Sequence, residues 1–142
     1  MIRLATTEDV KEISALWEKM VLSMRPEWEP RRDIWEAMCV AMLDSGYYSI
    51  LVAEKDNKIV GFVDGLVTPE PASGKIHGVG QHFFIVPEYR GMLGGELYRE
   101  IVSLALKKGA EVLEFFCFPE ELTFWQRHGY QAGRIMVRNN GH

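Results

Sequence analysis

The sequence contains little cysteine, no long apolar run and no excess of basic charge. Its two cysteines, Cys39 and Cys117, form neither a CxxC pair nor a zinc-ligand spacing, so we predict two buried, reduced thiols. No stretch reaches the roughly 18 apolar residues of a membrane-spanning helix. The N-terminus also lacks the basic and apolar regions of a signal peptide. We therefore expect a cytoplasmic protein with no membrane partner.

The charge balance excludes a second class of partner. The 142 residues include 16 Lys and Arg against 20 Asp and Glu, a formal net charge of −4. Nucleic-acid binding, including the acetylation of aminoacyl-tRNA, calls for a basic face, so no nucleic-acid partner is expected. An apolar content of 47% and a charged content of 25% are typical of a globular chain. The length predicts a single domain over residues 1–142.

Apolar periodicity and turn residues predict the element order β-α-α-β-β-β-α-β-α-β. A helix capped by Thr6 or Thr7 carries an apolar stripe from Val10 to Met24. Two prolines end this region before a second helix, and Asp-Asn at 56–57 predicts a hairpin. The remaining predictions are strands at 2–5, 48–54, 59–67, 77–86, 111–118 and 131–138, a loop at 68–75, and helices at 31–45, 92–108 and 119–127.

This order predicts an α/β (α+β) fold. The central hairpin and its following strand are antiparallel, whereas the strand–helix–strand unit at 77–118 requires a right-handed crossover and a parallel pair. The result is a mixed, mostly antiparallel sheet with helices on both faces.

The stretch FFIVPEYRGMLGG, residues 83–95, carries the clearest functional pattern. A strand runs into a turn with glycine and arginine that opens a helix. The first amides of a helix and its dipole favour an anion, and Arg90 adds a donor suited to phosphate. Neither GxxxxGK[ST] nor GxGxxG is present, so the pattern predicts a phosphate site of another type.

Four motifs in order resemble the GNAT superfamily of acetyl-CoA-dependent N-acetyltransferases. These are IRLATTEDVKEI, ILVAEKDNKIVGFVDG, FFIVPEYRG and FWQRHGY, and they cover almost the whole chain. The resemblance implies the GNAT fold with six or seven strands, and acetyl-CoA as co-substrate without a metal. It places the pantetheine arm on the backbone of the fourth strand and the pyrophosphate on the following loop. The matching cofactor-binding residues are Phe83, Phe84 and Ile85 on the strand, and Arg90, Gly91, Met92, Leu93, Gly94 and Gly95 on the loop.

Two positions depart from the family pattern. The middle glycine of the loop is missing, with Leu93 in its place, and leucine does not readily adopt a left-handed backbone. Trp125 stands where many members have a tyrosine that protonates the leaving thiolate, and an indole is not a usable acid. These departures leave open an alternative function, a GNAT-fold module that binds coenzyme A or regulates without transferase activity.

The acetyl acceptor is expected to be a primary amine, either a small molecule or a peptide. A base must remove its proton, and the candidates for catalysis are His82 on the fourth strand and Glu114 on the fifth, with Asp64 as a further carboxylate. Residues 24–30, which include Trp28, and residues 68–75 are expected to form the acceptor site. Dimers are common in the family, so the resemblance also allows a homodimer.

Overall fold

The computed structural model describes residues 1–133, in which five strands form one sheet. The strands are β1 (Ile2–Leu4), β2 (Tyr48–Lys55), β3 (Lys58–Glu70), β4 (Lys75–Ile85) and β5 (Val112–Phe115). They lie side by side in chain order. The first four are antiparallel to their neighbours, and β5 is parallel to β4. The predicted mixed, mostly antiparallel sheet is thereby confirmed.

Four α-helices accompany the sheet within residues 1–133: α1 (Val10–Met24), α2 (Arg32–Leu43), α3 (Arg90–Lys107) and α4 (Leu122–Arg127). Apolar residues of α1 and α2 pack with Ile50 and Phe62 on one sheet face. Leu97 and Ile101 of α3 pack with Val63 and Ile85 on the other. Alternating side chains of β2 and β3 supply both cores, because successive residues of a strand point to opposite faces. The prediction of helices on both faces is confirmed.

The strand count differs from the predicted six or seven. Residues 131–133 form no strand, and the rest of the strand predicted at 131–138 lies outside the described residues. The predicted loop at 68–75 is wrong over half of its length, because residues 68–70 and 75 lie in strands. Residues 68–70 continue β3 in register with β4, and only a four-residue turn, 71–74, joins the two strands. Gly74 takes the positive φ, +69°, that this turn requires.

The two cysteines differ in environment. Cys39 is buried, and burial raises the pKa of its thiol to about 12, which matches the prediction of an inert core residue. Cys117 is exposed, contrary to the prediction. It lies two residues after β5 ends, where the chain has left the sheet and has no core to enter.

Candidate active site

Strands β4 and β5 pair over only four residues. The register runs from His77 opposite Val112 to Gly80 opposite Phe115, and the next backbone bond is donated by the Phe116 N–H to the Gly80 carbonyl at 2.9 Å. Beyond Gly80, β4 continues to Ile85 while β5 ends. One edge of β4 is therefore free of β5 over residues 81–85.

Alternation of the backbone decides which groups face this open edge. The Val86 N–H donates to the Val60 carbonyl on β3 at 2.8 Å, so the backbone of Phe84, two residues earlier, also faces β3. The backbone groups of Phe83 and Ile85 face the opposite way, toward the open edge. Of the three strand residues predicted to bind the cofactor, Phe83 and Ile85 have the required orientation and Phe84 does not.

The predicted phosphate loop forms the first turns of α3. Arg90 begins the helix, two residues earlier than predicted. In the described chain, Gly91, Gly94 and Gly95 are absent from the positive-φ residues, and so is Leu93. Leucine at 93 therefore needs no left-handed backbone, and the expected penalty for the missing glycine does not arise. Open space surrounds the position that a Cβ of Gly91 would occupy, so backbone at the helix start is accessible.

Arg90 links this helix start to the open edge. Its Nε donates to the Ile85 carbonyl at 2.8 Å, and its guanidinium carbon lies 5.5 Å from the centre of the Phe84 ring. The side chain thus places a positive charge where the edge of β4 meets the positive end of the α3 dipole. The arrangement suits an anion attached to a chain that can extend along β4.

A β-bulge at Gln81 sets the direction of His82. Asp64 lies opposite His82, whereas the adjacent Gly65 lies opposite Gly80, so Gln81 is the additional residue. Gly80 faces α3, because a Cβ there would collide with the ring of Phe115. His82 instead packs edge-on against Trp35 of α2, with ring centres 6.1 Å apart. Without the bulge, His82 would share the face of Gly80.

His82 and Asp64, two of the candidate bases, form one hydrogen-bonded pair. The His82 Nδ1 lies 2.8 and 3.0 Å from the two carboxylate oxygens, and the His82 backbone N–H donates to Oδ1 at 2.7 Å. Asp64 is completely buried, and the Tyr48 hydroxyl also donates to it. The Asp64 carboxylate fixes the proton on Nδ1, which leaves Nε2 as the acceptor nitrogen of a neutral imidazole.

Glu114, the other catalytic candidate from the sequence, lies elsewhere. Its carboxylate pairs with Nδ1 of His77. His77 precedes His82 by five residues on β4, which at the usual rise of a strand places the two histidines roughly 15 Å apart. The Nε2 of His77 lies 3.0 Å from the Ser73 hydroxyl in the β3–β4 turn. The structure thus contains two separate histidine–carboxylate pairs, and it does not bring Glu114 together with His82.

Trp125 is buried within an aromatic cluster beside the open edge. Its ring stacks on Phe115 at a centre distance of 4.2 Å and meets Phe83 edge-on at 5.9 Å. Its indole N–H donates to Glu121 at 3.4 Å, and burial raises the pKa of that carboxyl. Tyr130 lies 5.5 Å from Trp125 and accepts a hydrogen bond from Tyr98 at 3.1 Å. Trp125 therefore packs between the two separating strands.

The segment between α1 and α2 is tied to the chain that precedes α4. Arg25 pairs with Glu120 at 3.2 Å, and its guanidinium lies 4.9 Å from the centre of the Phe118 ring. Trp28 in the same segment is half exposed. Among residues 1–133, no cluster of three metal-binding side chains occurs, and no helix is both long and apolar enough to cross a membrane.

Sequence reasoning named both members of the His82–Asp64 pair but did not join them. The information available was a single carboxylate inside the apolar strand IVGFVDGLV, because a buried charge requires a partner. The bulge that turns His82 toward Asp64 left no recognisable pattern in the sequence.

Comparisons with known proteins agree with this architecture. A model of the GNAT acetyltransferase family matches residues 10–130. No curated protein sequence gives a match. Similar solved structures include a predicted acetyltransferase with acetyl-CoA from Clostridium acetobutylicum, with a TM-score of 0.84 and 14% identity over 99% of this chain and 95% of that one.

Two further structures show the same likeness. A transcriptional regulator from Bacillus halodurans C-125 has a TM-score of 0.80 and 18% identity, and the alignment covers 99% of this chain and 98% of that one. A ribosomal-protein-alanine N-acetyltransferase from Brucella melitensis biovar Abortus 2308 has a TM-score of 0.75 and 21% identity, with coverage of 98% and 99%. At these identities the likeness concerns the fold.

Proposed function

The chain belongs to the GNAT family of acetyltransferases, and on this premise we propose that it transfers an acetyl group from acetyl-CoA to a primary amine. One observation carries the proposal: the open edge of β4 joins the start of α3 at one end and the His82–Asp64 pair at the other. A single extended co-substrate can lie along that edge with its anionic end at the helix and its reactive end near His82.

The residues that would hold coenzyme A follow from the backbone geometry. Phe83 and Ile85 offer backbone groups that face the open edge to the pantetheine amides, and the first turns of α3, residues 90–95, offer their N–H groups and dipole to the pyrophosphate. Arg90 contributes a charge-assisted donor to the pyrophosphate once its Nε has released the Ile85 carbonyl. Acetyl-CoA supplies a thioester carbonyl for attack.

His82 is proposed as the general base. Its Nε2 accepts a proton from the acceptor ammonium, whose pKa of about 10 otherwise keeps the amine charged and unreactive. The neutral amine then attacks, so that an N–C bond forms and the C–S bond breaks, and the second proton that the nitrogen loses passes to the departing thiolate. Asp64 stabilises the imidazolium that His82 becomes, since it already holds Nδ1–H.

The leaving thiolate has no tyrosine at position 125 to protonate it. A thiolate leaves without help because its conjugate acid has a pKa of only about 8.5. The hydroxyl of Tyr130 belongs to the same aromatic cluster, but burial and Tyr98 raise its pKa. Transfer is therefore expected to proceed without a general acid, but more slowly than with one, and release of the thiolate is its slow step.

Replacing Trp125 with tyrosine tests that step. Tyrosine occupies less volume, stacks on Phe115 as tryptophan does, and supplies a hydroxyl acid, so we expect kcat to rise by about tenfold or more. Trp125→Phe is the matched control, because it makes the same change in size without the hydroxyl. Equal rates for Trp125→Tyr and Trp125→Phe would show that protonation of the thiolate does not limit turnover.

The proposed function is tested by titration calorimetry followed by turnover. We expect micromolar binding of acetyl-CoA, and release of free thiol when a panel of small amines and N-terminal peptides is added. Binding without turnover against the whole panel would favour the CoA-binding or regulatory module instead. Absence of binding at millimolar acetyl-CoA would contradict acetyl transfer and would leave a regulatory module that does not bind coenzyme A.

The acceptor class follows from the surroundings of the site. The segment between α1 and α2 contributes Trp28 with Glu27 and Glu29 beside it, and an aromatic ring with carboxylates suits a cationic amine. The Arg25–Glu120 pair holds this segment against the chain before α4. A small molecule and a peptide N-terminus both satisfy this chemistry.

A further inference from the structure

The second histidine–carboxylate pair has a nucleophile on its free side. His77 is nine-tenths buried, Glu114 holds its Nδ1, and its Nε2 lies 3.0 Å from the hydroxyl of Ser73. Ser73 lies in the exposed turn between β3 and β4. Acetyl transfer as proposed above does not use any of these three groups.

The hydrogen bonds define the roles of the three side chains. With Nδ1–H donated to Glu114, the Nε2 of His77 is an acceptor. The Ser73 hydroxyl donates its one proton to this nitrogen at 3.0 Å in preference to the Glu70 carbonyl, which lies 3.4 Å from it. The Ser73 oxygen also accepts from the Lys75 backbone N–H at 3.2 Å, which fixes its position. A serine, a base in contact with it and a carboxylate that orients the base are the parts of an activated nucleophile.

Two backbone amides converge beside the same serine. The Ala72 N–H donates to one carboxylate oxygen of Glu70 at 2.8 Å, and the Ser73 N–H donates to the other at 2.6 Å. These bonds lower the pKa of Glu70, so the group they hold is an anion. A pair of amides that includes the amide of the nucleophile is the arrangement that stabilises an oxyanion in acyl transfer.

We propose that Ser73, His77 and Glu114 form a second reactive centre, a serine nucleophile that accepts acyl groups from small neutral carboxylic esters, with the carboxylate of Glu70 occupying its oxyanion site. Glu70 restrains the centre, because the amides are available to an ester carbonyl only when its side chain moves aside. Three carboxylates bond to residues 72–77: Glu70 to the Ser73 amide, Glu111 to the Ile76 amide and Glu114 to His77. A neutral ester is therefore favoured over an anionic one.

The reaction balances within these groups. The Ser73 oxygen bonds to the ester carbonyl carbon as its proton passes to His77 Nε2. The carbon–oxygen bond to the alcohol then breaks, and His77 returns the proton to the departing alkoxide. Water attacks the acyl-serine with His77 again as base, which releases the carboxylic acid and restores the hydroxyl.

A small alkyl fluorophosphonate is the probe for this centre, with the site of modification located by mass spectrometry of the full chain and its peptides. We expect the phosphonate on Ser73, and labelling at least tenfold faster in Glu70→Ala, where the two amides are free. Ser73→Ala removes the modification. Hydrolysis of 4-nitrophenyl acetate is expected to follow the same order across the variants.

Two further variants separate activation from mere exposure. Glu114→Gln, at a half-exposed side chain, is expected to slow labelling at least tenfold, and His77→Gln to slow it further. Ser45→Ala is the matched control, since Ser45 is an exposed serine that bonds only to backbone groups of neighbouring residues. Absence of label on Ser73 in both the unaltered protein and Glu70→Ala would overturn the proposal, whatever the acetyl-CoA experiments show. Equal labelling of Ser45 and Ser73 would overturn it too.

Discussion

Substitution of His82 by glutamine is expected to lower kcat/KM for acetyl transfer by about 10²- to 10⁴-fold, the range for loss of a well-placed general base. Glutamine keeps a hydrogen-bonding side chain of similar length but cannot take the proton from an ammonium. The affinity for acetyl-CoA should stay within about twofold, since the imidazole faces α2 and not the open edge of β4. Steady-state rates with saturating acetyl-CoA measure the first effect, and calorimetry the second.

His128→Gln is the control for this prediction. His128 is exposed, and its Nδ1 lies 2.9 Å from the Phe124 carbonyl. The two histidine variants carry the same chemical change, so equal rates in both would contradict the role given to His82.

Asp64→Asn extends the same test to the carboxylate. Its amide is nearly isosteric with the carboxylate, but it has only one oxygen for the bonds from Tyr48, His82 Nδ1 and the His82 backbone N–H. The proton is then no longer fixed on Nδ1. We expect a loss of rate smaller than that of His82→Gln, accompanied by a change of tautomer visible in the ¹⁵N spectrum of His82. An unchanged tautomer would contradict the orienting role.

Gly91→Asp is expected to weaken acetyl-CoA binding by about 10- to 100-fold. A Cβ at Gly91 meets open space, so the substitution costs nothing in packing. A carboxylate in the first turn of α3 interacts favourably with the helix dipole, and the melting temperature should therefore hold or rise. The same carboxylate repels a pyrophosphate within a few ångströms, at a cost of about 1–3 kcal/mol.

The combination of weaker binding with unchanged stability is diagnostic. Gly91→Asn is the matched control, because it fills the same space without the charge and should weaken binding far less. Tight binding of acetyl-CoA to Gly91→Asp would show that the pyrophosphate does not lie at the start of α3, and it would remove the basis for assigning residues 90–95.

Most of the fold could be predicted from the sequence because its signals are local. The apolar stripe from Val10 to Met24 depends on a few neighbouring residues. So does the hairpin turn, in which Asp56 and Asn57 each have a positive φ. The turn at 71–74 was predicted too long because Pro69 and Glu70 resemble loop residues. Their pairing with Ile76 and Lys75 on β4 overrides that local preference.

The site was predicted less completely because its decisive features are not local. His82 reaches Asp64 only because one additional residue, Gln81, turns it to the face of α2. Leu93 was expected to distort a loop, yet its backbone is helical, so the missing glycine carries no strain. Glu114 and His77 meet across a parallel pair separated by the whole of α3, and sequence spacing does not predict such a contact.

The four-residue pairing of β4 with β5 also shapes how the molecule opens. The β2–β3–β4 meander is joined by tight turns, whereas β5 pairs with β4 only after a crossover over residues 86–111, so closing that loop costs more chain entropy and gains fewer hydrogen bonds. In amide hydrogen exchange we therefore expect β5 and α4 to open at a lower free energy than the β2–β3–β4 meander. We expect the amides of Phe83 and Ile85 to exchange early as well, until a ligand on the open edge takes the place of a neighbouring strand.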